Sequence, residues 1–285
     1  MILIAGATGS NGSELARLLS SRGIRVRAMV RSRESAKSIA ALPGVELVLA
    51  DFDDQGTVER ALDGIEKAFL VTNSSERAEA QQRAFIETAG RAGLKHIVKL
   101  SQFAASENSP VRFLRYHAAV ERAIVEAGIT YTFLRPNLFM QGLLAFRASI
   151  IADGKFFAAA GDATVSVVDV RDNAAAAAAA LTEPGHEGRI YDLTGPQVLT
   201  HTEMAAYLSA AIGRSITFIN VSSDAMREAL LRVGLPPWQV DGLVEDYAHY
   251  RRGEASAVTS GVLDATGQPP RTFAAFARDY ASEFS

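Results

Sequence analysis

The feature that most limits how this chain can fold is a short apolar run, Ile2–Ala5, followed at once by Gly6-Ala7-Thr8-Gly9-Ser10-Asn11-Gly12. A strand that empties into Gly-x-x-Gly-x-x-Gly and then into helical spacing (Leu15, Leu18, Leu19) is the opening of a dinucleotide-binding unit. Gly6 permits the turn, Gly9 lets the backbone approach a pyrophosphate, and Gly12 allows the helix to pack closely on the sheet. The free N–H groups and dipole of the helix start favour phosphate there, with Thr8, Ser10 and Asn11 as polar helpers.

The pattern that follows extends this unit. Strands are expected at Arg25–Val30, Val45–Ala50, Ala68–Thr72, Ile97–Leu100 and Tyr131–Leu134. Helices are expected between them at Glu34–Leu42, Gln55–Leu62, Ala78–Ala92 and Arg112–Ala127. Such alternation predicts an α/β fold, a Rossmann-like doubly wound parallel sheet covered on both faces. After Pro136 the rhythm changes. Leu138–Ile151 reads as a helix, Lys155–Ala159 and Val165–Val168 as short strands, and the alanine run Ala174–Ala180 as a closely packed helix. Further helices are expected near 202–211, 224–233, 239–251 and 272–283, and strands at 190–193 and 217–221. The expected organisation is a dinucleotide-binding core over residues 1–137. Residues 138–285 then complete the sheet and form a smaller C-terminal substrate lobe.

Composition removes several alternatives. With 29 basic and 32 acidic residues the formal charge is −3, which argues against a nucleic-acid partner. The chain has no cysteine, so disulfides, thiolate catalysis and cysteine metal sites are excluded, and a reducing, cytoplasmic location is expected. No uninterrupted apolar stretch of about 18 residues predicts a membrane span.

The second strand ends in Val30-Arg31-Ser32-Arg33, where NAD-selective sites place an acid for the ribose hydroxyls. An arginine there favours the 2′-phosphate of NADP(H), with Arg31 as first choice and Arg33 or Lys37 as helper. NAD(H) stays open. Asp51, after the third strand, is expected at the adenine, and Thr72, Asn73 and Ser74, after the fourth, at the ribose and nicotinamide.

Together with the glycine loop and the Val30-Arg31 strand end, three later motifs carry a family likeness: Lys99-Leu100-Ser101, Leu134-Arg135-Pro136-Asn137 and Val168-Asp169-Val170-Arg171-Asp172. With these residues the chain resembles the NmrA-like group of atypical short-chain dehydrogenases/reductases over essentially its whole length. Within that group it is most similar to bacterial NAD(P)H-dependent quinone, triphenylmethane-dye and azo-dye reductases. Gly185-His186-Glu187-Gly188 and the following Tyr191-Asp192-Leu193 add to that similarity. The resemblance implies direct hydride transfer to a small aromatic or quinone-like acceptor. Nothing in the pattern calls for a flavin or a metal. The group also includes dinucleotide sensors that act on protein partners, and nucleotide-sugar epimerisation or dehydration is a more distant alternative. A homodimer or a regulatory partner is left open.

One departure matters chemically. Ordinary members of the superfamily carry Tyr-x-x-x-Lys, and no tyrosine here is followed by lysine four positions later. Tyr116 faces Val120 at that offset, and its neighbour begins His117-x-x-x-Glu121, whose spacing puts both side chains on one helical face. His117, Ser101 and Asn137 are therefore the expected catalytic residues, with Glu121 orienting His117. Phe139, Met140, Phe146, Phe156 and Trp238 are the expected walls of an aromatic acceptor pocket; Phe157 and Tyr247 are further candidates.

Overall fold

The computed structural model describes residues 1–285. Its first half runs β1 (Ile2–Ala5), α1 (Ser10–Ser21), β2 (Val26–Val30), α2 (Lys37–Ala40), β3 (Val45–Leu49) and α3 (Gln55–Leu62). It continues through β4 (Lys67–Leu70), α4 (Ala78–Arg91), β5 (His96–Leu100), α5 (Arg112–Glu126) and β6 (Thr130–Pro136). The second half holds α6 (Arg147–Asp153), β7 (Lys155–Ala158), β8 (Thr164–Val165), α7 (Val170–Thr182), β9 (Arg189–Leu193), β10 (Leu199–Thr200) and α8 (His201–Ile212). After these come β11 (Thr217–Asn220), α9 (Ser223–Arg232), α10 (Pro237–Arg251), α11 (Gly261–Thr266) and α12 (Phe273–Asp279).

Seven strands form one parallel sheet in the order β3-β2-β1-β4-β5-β6-β9. The chain reverses direction of winding between β1 and β4, which opens a crevice beyond their carboxyl ends. Two apolar layers cover the faces. One packs α1 and α7 against the sheet, the other α3, α4 and α5. The alanines of α7 let it lie close to α1, where Asn173 Nδ2 donates to Asn11 Oδ1 at 3.1 Å. A third core, built around Phe156, Phe273, Phe276 and Phe284, belongs to the later elements.

The sheet reproduces the expected strands to within a residue or two. The second half departs more. Leu138 and Phe139 stay extended because Phe139 bridges Val168 and Met140 N–H bonds to Val168 O at 2.9 Å. The expected single helix over 138–151 is thus a 3-10 turn at Met140–Phe146 leading into α6. Helix α7 starts at Val170, ahead of its alanines, because the buried Asp169 carboxylate caps it by accepting from Arg171 N–H at 2.8 Å. Helix α11 has no apolar period to announce it. Its Gly261 sits where a Cβ would come 2.1 Å from the carbonyl oxygen of Asp192.

Helix α10 reaches back over the carboxyl edge of the sheet. Gly242 makes the contact possible, since a Cβ there would fall 2.3 Å from the Phe113 ring. Arg112 locks it, with its backbone N–H on Glu245 Oε2 at 2.8 Å and its guanidinium on Glu245 Oε1 at 2.7 Å.

Candidate active site

A single cavity of about 630 Å³ runs along the carboxyl edge from the glycine loop to α10. At one end its wall is backbone. Gly6 has φ +84°, and a Cβ there would meet Val71 O at 2.4 Å; a Cβ on Gly12 would meet Gly6 O at 2.3 Å. Gly9 has room for a Cβ within the protein, 3.6 Å from Gly6 O, and opens α1 as its N-terminal cap with no side-chain bond to the helix N–H groups. The first residues of α1, Ser10, Asn11 and Gly12, line the cavity and no side chain caps their N–H groups, which fits a pyrophosphate. Thr8, Ser10 and Asn11 line the same end.

Next along the edge, Arg31 and Asp51 line the cavity. Arg31 makes no ion pair within the chain, so its guanidinium is open to an anion. Arg33 and Lys37 stand outside the lining; Lys37 pairs with Glu34 on the surface. Asp51 accepts from Asp53 N–H at 3.0 Å, shaping its own loop. Thr72, Asn73 and Ser74 line the middle, with Thr72 held by Gln82 at 2.8 Å and Ser74 Oγ bonded to Tyr116 Oη at 2.9 Å.

Beyond them the wall changes to side chains from β5, α5 and α10. Lys99 of β5 is wholly buried, and its Nζ donates to His117 Nδ1 at 3.0 Å and to the carbonyl of Leu100. Burial pushes the ammonium down to about 7, with Glu121 opposing the fall. Burial, and then the neighbouring Lys99, hold the His117 imidazole neutral, well below its ordinary value. A charged Lys99 can only donate, so while it is charged Nδ1 accepts and the ring proton is on Nε2, the nitrogen left without a protein partner. Ser101 is buried at the same place, and its Oγ has no hydrogen-bond partner. An orphaned hydroxyl on a cavity wall fits a polar ligand group, here the nicotinamide side of a dinucleotide whose phosphates lie on the glycine loop.

The expected His117–Glu121 pair does not form. Glu121 gives its carboxylate to Arg135, at 2.9 Å from Nε, since that guanidinium on β6 outcompetes an uncharged ring. Asn137 lines the cavity, but its amide is engaged: Nδ2 donates to Ser166 Oγ at 2.9 Å and Ala255 O at 2.8 Å, and Oδ1 accepts from Leu138 N–H. Among the expected aromatic walls only Phe139 lines the cavity. Met140, Phe146 and Phe156 belong to the third core, because the chain turns away from the edge after Phe139. Trp238 stands one layer behind, against Phe113 at 5.4 Å between ring centroids and under Arg112. Phe157 is 38% exposed on the short β7 strand and Tyr247 is packed against the third core; neither touches the cavity.

The residues that line this end include several that sequence reasoning assigned no site role: Gln102, Leu243, Asp246 and Tyr250, with Lys99 behind them against His117. Three of them were detectable in one respect. Leu243, Asp246 and Tyr250 are three and four residues apart on an expected helix, hence on one face. Conversely, the Val168–Asp172 and His186 motifs are structural. Asp172 pairs with Arg271, and His186 Nδ1 bonds Tyr191 Oη at 3.0 Å.

Comparison with known proteins agrees with this architecture. The NmrA-like family model matches residues 1–250. The chain is 37% identical over 284 residues to an NAD(P)H azoreductase of Xenophilus azovorans, covering all of this chain and 99% of the relative. It is 36% identical, again over its whole length and 99% of the relative, to the (4-alkanoyl-5-oxo-2,5-dihydrofuran-3-yl)methyl phosphate reductase of Streptomyces griseus. The solved structure of the NADPH-dependent quinone oxidoreductase QOR2 of Escherichia coli, complexed with NADPH, superposes with a TM-score of 0.86 at 31% identity. That alignment covers 98% of this chain and 99% of the other. With its parallel sheet, its glycine loop and these relatives, the chain belongs to the NmrA-like family and has that family's NADP(H)-binding fold.

Proposed function

We propose that this NAD(P)H-dependent oxidoreductase passes a hydride directly to a quinone-like or conjugated azo or triphenylmethane acceptor. The observation that carries the reading is the His117 imidazole, backed by Lys99 Nζ at 3.0 Å, on the wall of a cavity that begins at a dinucleotide loop. Bound there, the reduced nicotinamide supplies the hydride and both electrons.

The chain's own residues would hold, orient and protonate. The loop Gly6–Gly12 and the start of α1 hold the pyrophosphate, Arg31 the 2′-phosphate, and Ser101 a polar group of the nicotinamide half. His117 donates its Nε2 proton to the acceptor oxygen or nitrogen as charge develops on it. Lys99 passes a proton to Nδ1 and becomes neutral; Nε2 then takes a proton from water at the cavity while Nδ1 returns its own to Lys99, which restores the starting state. An ammonium near 7 suits this role, because both of its forms are populated at neutral pH. A carbonyl-to-alcohol reaction would need a stronger acid beside the alkoxide, and the tyrosine–lysine pair that provides it elsewhere is absent.

NADPH carrying deuterium at both C4 positions, used to reduce a triphenylmethane dye in ordinary water, tests direct transfer. The label is expected on the central carbon of the product. Hydrogen from water at that carbon would overturn the reading.

A further inference from the structure

We infer that Asp246 makes the acceptor end of the cavity a subsite for a cationic or N–H-donating aromatic group, so that amine-bearing acceptors are taken in preference to sulfonated or phosphorylated ones. The inference rests on the reductase reading and names the substrate class of the same site.

Asp246 projects from α10 into the cavity lining and is only 6% exposed. Its carboxylate is oriented by one neutral donor, the amide of Gln102, whose Nε2 stands 3.1 Å from each oxygen. No lysine, arginine or histidine pairs with it. The charged neighbour that acts on it, Glu245, has the same sign, and Glu245 is itself matched by Arg112. A carboxylate removed from water without a counter-ion is costly, and an isolated buried charge of this kind suits a ligand that brings the opposite one.

The other groups around Asp246 point the same way. Phe113 and Tyr116 of α5 and Tyr250 of α10 line this end of the cavity and make its wall aromatic, which suits an aromatic or cationic group. The tyrosines near it (Tyr116, Tyr247 and Tyr250) have their hydroxyls pushed upward by burial and stay neutral. Burial likewise pushes the Asp246 carboxyl up to about 7, with Gln102 pulling it down and Glu245 adding to the rise. A bound cation would favour the ionised form. Sulfonate or phosphate finds no answering charge: among the residues lining the cavity the only lysine or arginine is Arg31, at the far end on β2.

The test uses three acceptors with one conjugated core and a trimethylammonium, an uncharged or a sulfonate substituent. At pH 8 the wild-type kcat/KM is expected to favour the cationic acceptor over the uncharged one by about tenfold, carried by KM, and Asp246→Asn to remove most of that ratio. A ratio near one in the wild type, or one indifferent to the substitution, would overturn the subsite. Calorimetry on the wild type, with phenyltrimethylammonium against benzenesulfonate, reads the site without turnover. Preferential binding of the cation supports the inference even if none of the acceptors is reduced, in which case the reductase reading alone fails. Equal or reversed binding overturns the subsite even where all three acceptors are reduced. If Asp246→Asn weakens NADP⁺ while the acceptor ratio stays at the wild-type value, the carboxylate faces the nicotinamide and the inference is wrong.

Discussion

The two ends of the cavity are built from different material. The phosphate end is backbone from seven consecutive residues, and its tolerances are those of a turn: Gly6 and Gly12 each lie under 2.5 Å, by way of a missing Cβ, from a carbonyl oxygen. The acceptor end is side chain, assembled from β5, α5 and α10, and one of its cross-element bonds joins Gln102 and Asp246, 144 residues apart. A ligand part that never varies can be gripped by main chain; a part that differs between relatives is met by side chains that can be exchanged without disturbing the sheet. The ends also differ in cost. Lys99 and Asp246 both have ionisations displaced toward neutrality by burial, so the acceptor end buries ionisable side chains where the glycine loop offers main chain and uncharged side chains.

If this contrast is right, the largest loss comes from the backbone end. Gly12→Val must displace either the loop or α1, and NADPH binding measured by fluorescence titration should weaken at least about a hundredfold, roughly 3 kcal/mol. Wild-type affinity would break the comparison. At the other end, His117→Ala should lower kcat/KM for a quinone by up to about 10². For a cationic triphenylmethane dye, whose central carbon needs no proton, the loss should stay within about tenfold. Equal losses for the two acceptors would show that His117 positions rather than protonates.

Lys99→Met sharpens the point through pH. The charged form of Lys99 prevails below about 7, so wild-type quinone reduction should decline as pH rises through that value, and the variant should lose this limb along with about tenfold of its rate. The sign for stability is opposite. With the folded value depressed to about 7 from 10.5, the unfolded chain binds more protons between those values, and stability rises with pH there. Denaturation of Lys99→Met across pH 7 to 10 should lack that slope. The smallest effect is expected at Arg31→Glu, where the ratio of kcat/KM for NADPH over NADH should drop by about tenfold; an unchanged ratio would remove Arg31 from the 2′-phosphate.

The same contrast explains what could be read in advance. The sheet, the loop and the line from Arg31 to Ser74 were legible because each is local: a strand, its carboxyl end and the turn after it appear in order along the chain. Lys99 was visible as part of a motif but not as a buried cation, since burial on a central strand is set by α5 packing over it. The expected role of Glu121 failed because helical spacing shows which residues share a face and says nothing of Arg135 on β6. Phe156 and Phe146 were plausible walls by type, and only the extended stretch at 138–139 sends them into another core.

The central claim is that this cavity performs reduction at its acceptor end. Anaerobic stopped-flow absorbance, with NADPH or NADH mixed against a panel of quinones and cationic dyes, measures it most directly. The account predicts loss of the reduced-nicotinamide signal only when acceptor is present, faster with NADPH. Saturable binding of the dinucleotide with no turnover across the whole panel would contradict it.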